Sequence, residues 1–169
     1  MRFTPAAMAL ALLAAVTSSV GQGAPPQPLD PRAAALVQQG RTALAAGQAD
    51  AAIDAFEAAL AIQPGHVAIV LNLADATRQQ GMQGKALHYY RLALAADPDN
   101  QFAIAGEGMA LVEKGAVEKA KRNLTRLDQL CVRSNCPPAL DLAAAIERGP
   151  APRLVSAEAV QTPAAVTQN

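Results

Sequence analysis

The sequence predicts an all-α fold: three antiparallel helix pairs stacked into a solenoid, closed by a C-terminal capping helix. Three observations carry this. Gly47, Gly81 and Gly115 stand 34 residues apart. Ala52, Ala86 and Ala120 keep the same spacing, as do Phe56, Tyr90 and Leu124. Pro64 and Pro98 close the first two units. A period of this length is the mark of stacked supersecondary units, each too small to bury its apolar face alone.

The elements follow in order. Residues 24–32 are proline-rich and read as an extended linker, since proline fixes the backbone and removes a helix donor. Helical periodicity starts near Arg32 or Ala33, with Leu36, Ala43 and Leu44 at helix spacing, and Gly47 ends it. Ile53, Phe56, Ala59 and Leu60 line the second helix, which Pro64-Gly65 stops. Val70, Leu73, Ala74 and Thr77 form the inner face of the third helix. Ala86, Leu87, Tyr90, Ala93 and Leu94 form that of the fourth. Asp97-Pro98-Asp99-Asn100 is a turn that caps the fifth helix, whose inner residues are Ile104, Gly108 and Leu111. Val117, Ala120, Leu124, Leu127 and Leu130 make the sixth. Pro137-Pro138 opens a seventh, over 138–148, with Leu140, Leu142, Ala143 and Ile146 as its apolar residues. The repeats are expected at about 33–66, 67–100 and 101–134 within a domain of 33–148. Residues 149–169, rich in Ala, Val, Thr, Gln and Pro, read as a disordered or loosely docked tail, with Arg153-Leu154-Val155 as a strand-like segment able to meet a partner.

The N-terminus reads as a cleavable secretory signal over residues 1–23: Arg2, then an uncharged apolar run from Ala6 to Val16, then small and polar residues. Small residues suit cleavage after Gly21 or after Gly23. The expected location is the periplasm or outside the cell, with membrane association only if the signal stays uncleaved. Export favours a disulfide between Cys131 and Cys136. Free thiols, a redox pair and a metal site are the other readings. Redox pairs usually have two intervening residues, and the only histidines, His66 and His88, lack ligand-like spacing to the cysteines. The sequence implies no metal and no cofactor.

Composition narrows the function. Lys plus Arg equals Asp plus Glu, 14 each, so no overall field draws in nucleic acid. Trp is absent and aromatics are 3%, so base-stacking platforms are poorly supplied. The sequence has no nucleophile elbow and no phosphate-cradling glycine loop. The basic residues Lys119, Lys121, Arg122 and Arg126 are spread around a helix and interleaved with Glu118 and Asp128, which suits a solvated face.

The recurring positions resemble tetratricopeptide repeats (TPRs). Gly40, Ala74 and Gly108 occupy the small site of the first helices; Gly47, Gly81 and Gly115 the turn; Ala52, Ala86 and Ala120 the small slot of the second helices. Phe56 and Tyr90 supply the aromatic, followed by Ala59 and Ala93 and then Pro64 and Pro98. The chain departs from the pattern where Leu36, Val70 and Ile104 replace a common Trp and where Ala43, Thr77 and Leu111 replace a common Tyr. The resemblance covers residues 33 to about 134. It implies a right-handed superhelix with a concave groove that holds an extended peptide or a partner helix. Projected onto that groove, Gln38 and Arg41 point inward from the first unit, Asn72, Asp75, Arg78 and Gln79 from the second, and Phe102, Met109 and Glu113 from the third. The family's grip on a chaperone's C-terminal carboxylate is not reproduced: Asn72 matches, but Phe102 and Gly106 stand where basic residues would. The expected function is a non-catalytic adaptor or assembly factor of the bacterial cell envelope with a protein or peptide partner. A self-associating structural oligomer and an accessory subunit of an envelope enzyme complex are the alternatives.

Overall fold

The structure, a computed structural model, describes residues 28–131 and 135–150. The expected signal segment, the linker through Gln27, Val132 to Ser134 and the expected tail from Ala151 lie outside the described residues. Among the described residues seven helices follow one another: α1 (Pro31–Ala45), α2 (Ala49–Ile62), α3 (Val67–Gln79), α4 (Gln83–Ala96), α5 (Gln101–Glu113), α6 (Val117–Leu130) and α7 (Pro137–Arg148). None of them is long and apolar enough to cross a membrane.

The first helix begins earlier than expected. Pro31 and Arg32 belong to α1, not to the linker. Asp30 caps it by accepting the Arg32 backbone N–H at 2.8 Å. Proline suits the first helical position, where its missing N–H has no partner to lose. The chain before it is tied down as well. The Asp30 N–H donates to Gln63 Oε1 at 2.9 Å, and Gln63 Nε2 donates to the Pro28 carbonyl at 3.1 Å. At α5 the cap within the expected Asp97–Asn100 turn is Asn100, whose side chain accepts the Ala103 N–H at 3.0 Å.

The three turn glycines explain the period. Gly47, Gly81 and Gly115 have φ of 74°, 81° and 83°, a left-handed conformation that β-carbons resist. The N–H of the residue after each donates five residues back: Gln48 to Ala43, Met82 to Thr77, and Ala116 to Leu111, at 2.9, 2.9 and 2.8 Å. This closes the ends of α1, α3 and α5 identically. The one buried polar side chain in the described core is Thr77. The Thr77 hydroxyl donates to a carbonyl of its own helix, with Leu73 and Ala74 both at 2.9 Å, and so is satisfied without leaving the interior.

Helices pair as α1/α2, α3/α4 and α5/α6; α2 meets α3, α4 meets α5, and α7 covers α5 and α6. The small residues mark close approaches. A β-carbon on Gly40 would fall 2.5–2.8 Å from the Phe56 ring, and one on Gly108 would meet the Leu142 methyls at 2.6 Å. Phe56, Tyr90, Leu127 and Leu142 are almost wholly buried.

Two expected core residues are outside. Leu130 is 36% exposed and Leu140 62% exposed. Among the described residues no fourth helix pair covers the end of α6. On α7 the seat is made by Ala139, Leu142 and Ala145, which turns Leu140 to solvent. The cysteines sit where α6 ends and α7 begins, each flanking its helix. Their Cα atoms are 5.9 Å apart with the sulfurs adjacent, a separation a disulfide spans.

Candidate functional site

Helices α1, α3 and α5 lie side by side, each touching the next. Polar side chains bridge them. Arg41 Nε donates to Asn72 Oδ1 at 3.0 Å, from α1 to α3. Arg78 donates to Glu113 at 2.7 Å, from α3 to α5, with only 20% and 33% of those side chains exposed. Gln83 Nε2, at the start of α4, reaches the second Glu113 oxygen at 3.3 Å. Four of the nine expected groove residues are thus brought together in two cross-ties.

The others are placed singly. Gln38 and Gln79 are exposed on α1 and α3. Phe102 is 70% exposed in the first turn of α5. Met109 is half-buried and packs on the core formed with α7. Asp75 is half-buried and already engaged: the Tyr90 hydroxyl donates to its Oδ1 at 2.5 Å. Burial pushes the Asp75 carboxyl above its ordinary range, while the Tyr90 hydrogen bond and the Arg78 charge pull it back in part. Burial, then the neighbouring Asp75 charge, holds the Tyr90 phenol well above its usual value.

Sequence reasoning missed three participants. Tyr90 was legible only as a core aromatic, equivalent to Phe56. The signal that could have revealed its hydroxyl is Asp75, standing 34 residues after Arg41 where a second cation was not repeated. Glu107 was also missed. It accepts from Arg91 Nε at 2.9 Å and from Asn123 Nδ2 at 3.0 Å, joining α4, α5 and α6. Third, α7 lines the site as well as capping the core. Ala145, Arg148 and Gly149 close an open pocket of about 190 Å³ whose other walls are Arg78, Met109, Val112 and Glu113.

What this arrangement offers chemically is recognition. Its exposed members, Gln38, Arg41, Gln79 and Phe102, supply donors, acceptors and one apolar anchor across three neighbouring helices. His88 is exposed on α4, away from these groups in the chain. Among the described residues no three His, Cys, Asp or Glu side chains gather into a metal-binding group.

Comparison with known proteins gives the class of fold. Residues 37–101 match the family described as Tetratricopeptide repeat. The structure is similar to the Sgt2 TPR domain from Aspergillus fumigatus, with a TM-score of 0.65 and 23% identity over 74% of this chain and 83% of that one. It is similar to the second TPR domain of human RPAP3, solved with the HSP70 peptide SGPTIEEVD: TM-score 0.60, 19% identity, 69% and 95% coverage. It is also similar to the Yersinia enterocolitica type III secretion chaperone SycD, solved with a peptide of the translocator YopD: TM-score 0.58, 18% identity, 68% and 86% coverage. No curated protein sequence matches the chain at the same stringency. The fold is a tetratricopeptide-repeat solenoid, all-α, with α7 as its terminal helix.

Proposed function

We propose that this chain is a non-catalytic protein-interaction scaffold, an adaptor or assembly factor that holds an extended or helical segment of a partner in its concave groove. The observation that carries this is the cross-tied face of α1, α3 and α5. Arg41–Asn72 and Arg78–Glu113 fix neighbouring helices in place, while Gln38, Gln79 and Phe102 stay open to a partner. A groove held rigid before binding loses less freedom on binding. The similar solved structures, of human RPAP3's second TPR domain and of SycD, each with a peptide bound, support the mode.

The cell envelope is the compartment this reading assigns, on the strength of the signal-like N-terminus and the paired cysteines. In that compartment Cys131 and Cys136 form a disulfide holding the start of α7 to the end of α6. Thiol titration of the unfolded protein, isolated without reductant, should find no free thiol. Finding two would remove both the bond and one argument for export.

The groove is tested by cross-linked affinity capture from the native envelope. The wild-type chain is run beside a triple variant, Gln38→Ala, Gln79→Ala and Phe102→Ala. All three side chains are exposed, so the fold should persist. A partner lost in the variant supports the groove. A partner captured equally by both places binding elsewhere and overturns the reading.

A further inference from the structure

The open pocket of about 190 Å³ lies where α3, α5 and α7 end. Met109, Val112 and Ala145 give it apolar walls, and Arg78, Glu113 and Arg148 supply its charges. Its volume is well below the roughly 300–1,000 Å³ of small-molecule sites, so it suits one side chain of a larger partner. Asn72, Phe102 and Gly106, the positions compared with the family's grip on a C-terminal carboxylate, are not among its walls. Ala145, Arg148 and Gly149 come instead from α7 and its C-cap, which hold none of the groove residues expected from the sequence.

The charges are not equally free. Both Glu113 oxygens are taken, Oε1 by Arg78 at 2.7 Å and Oε2 by Gln83 Nε2 at 3.3 Å. An incoming cation would have to compete with Arg78 for that carboxylate. Arg78 itself is not saturated: Nη1 donates to Glu113, while Nε is buried without an acceptor among the described residues. Arg148 is exposed, and its side chain has no hydrogen bond or ion pair among the described residues. Two guanidinium groups therefore line the pocket beside one carboxylate that is already engaged. The carbonyl ends of α5 and α7 work against an anion here, because a helix carries partial negative charge at its C-terminus. Arg148 and Arg78 have to outweigh them. We infer that the pocket seats an aspartate or glutamate side chain of the partner segment, with Arg148 donating to its carboxylate and the apolar walls packing on its stem. A guanidinium matches a carboxylate in shape as well as charge, so Arg148 determines specificity at this end of the groove. The inference rests on the concave face being a partner-binding groove.

Two capped tripeptides serve as probes, acetyl-Leu-Glu-Leu-amide and acetyl-Leu-Gln-Leu-amide, which differ only in the carboxylate. Each is titrated into the isotope-labelled chain and followed by amide NMR shifts. The acidic peptide should shift Glu113 and Gly149 saturably. It should bind about tenfold more tightly than the neutral one, the factor for one hydrogen bond to a charged group. Arg148→Gln should bring the two affinities together. That side chain is exposed, so the fold persists, which circular dichroism checks. Lys119→Gln, exposed on α6, removes the same charge away from the pocket and should leave the preference intact. Equal binding of the two peptides overturns the inference, as do an absence of saturable binding and shifts confined to other residues. A preference that survives Arg148→Gln overturns it, and so does one lost equally in Lys119→Gln, which reports overall charge. The groove stands or falls separately, on capture of a partner by the wild type and not by the triple variant. A partner that Arg148→Gln captures as well as the wild type does, and that the triple variant loses, keeps the groove and overturns this assignment of the pocket.

Discussion

Replacing Tyr90 by Phe removes one oxygen from a ring that is 1% exposed. The ring still fits against Gly106, so packing is kept. What is lost is the 2.5 Å hydrogen bond to Asp75, a half-buried carboxylate with no other hydrogen bond among the described residues. A hydrogen bond to a charged group contributes roughly 1.5–3 kcal/mol, so a loss of about 2 kcal/mol is expected at pH 7. With a urea m-value of about 2 kcal/mol/M, the midpoint falls by about 1 M. The loss should depend on pH. The folded Asp75 already has a pKa raised above its ordinary 3.8, and the Tyr90 hydrogen bond is one of the influences restraining that rise. In Tyr90→Phe it rises further. A carboxyl raised in the folded state adds stability below its unfolded pKa and loses it as pH climbs through the folded one. The difference between variant and wild type is therefore widest at pH 7 and narrows as pH falls toward 3.8. Urea titrations followed by helix circular dichroism at pH 7 and pH 4 measure both. A midpoint unchanged at pH 7, or a loss of equal size at both pH values, would refute the argument.

Other substitutions test the packing. A β-carbon at Gly106 would strike the Tyr90 ring, so Gly106→Ala should cost about 1–3 kcal/mol. At Gly84 nothing lies within 4 Å, so Gly84→Ala should stabilise by about 0.4–1 kcal/mol. Thermal melts of the pair distinguish them by sign. Leu142→Ala empties the contact that seats α7 on Gly108 and should cost about 2–5 kcal/mol, with amide exchange rising first in α7. Asn100→Ala removes the side-chain cap of α5 and should lower stability by about 1 kcal/mol in urea titration.

The helices and their pairing were legible because they depend on local chemistry repeated in register. Gly47, Gly81 and Gly115 mark positions where only a left-handed residue closes the turn, and the sequence displays that requirement three times. Phe56 and Tyr90 were legible as core for the same reason. Partnerships were not. Periodicity shows which side of a helix faces inward but not which atom it meets. That is why Arg78 and Glu113 were expected in the groove, yet their ion pair was not, and why Asp75 was read as open to a partner when Tyr90 already occupies it. The region after α6 was the least legible. Once the 34-residue register breaks, nothing in the pattern distinguishes Leu140 from Leu142, although one is 62% exposed and the other 0%. The start of α1 was misjudged because three prolines within 25–28 looked continuous with Pro31, whose role is set by the cap at Asp30.

The seams between repeats carry a consequence for how such a chain could change. Arg41 meets Asn72, whereas Arg78 meets Glu113, and the Phe56 ring lies on Gly40 of its own unit while Tyr90 lies on Gly106 of the next. Each junction is written in a different vocabulary. Excising residues 67–100 would preserve the period yet bring Gly106 to the register position of Asn72, leaving Arg41 without its acceptor. Duplicating them would set Tyr90 against a second Asn72 with no room for its ring. Stacked repeats are often described as freely extendable by whole units, and their backbone geometry permits it. In this chain the side chains at the two inner junctions oppose such an excision or duplication of the middle unit.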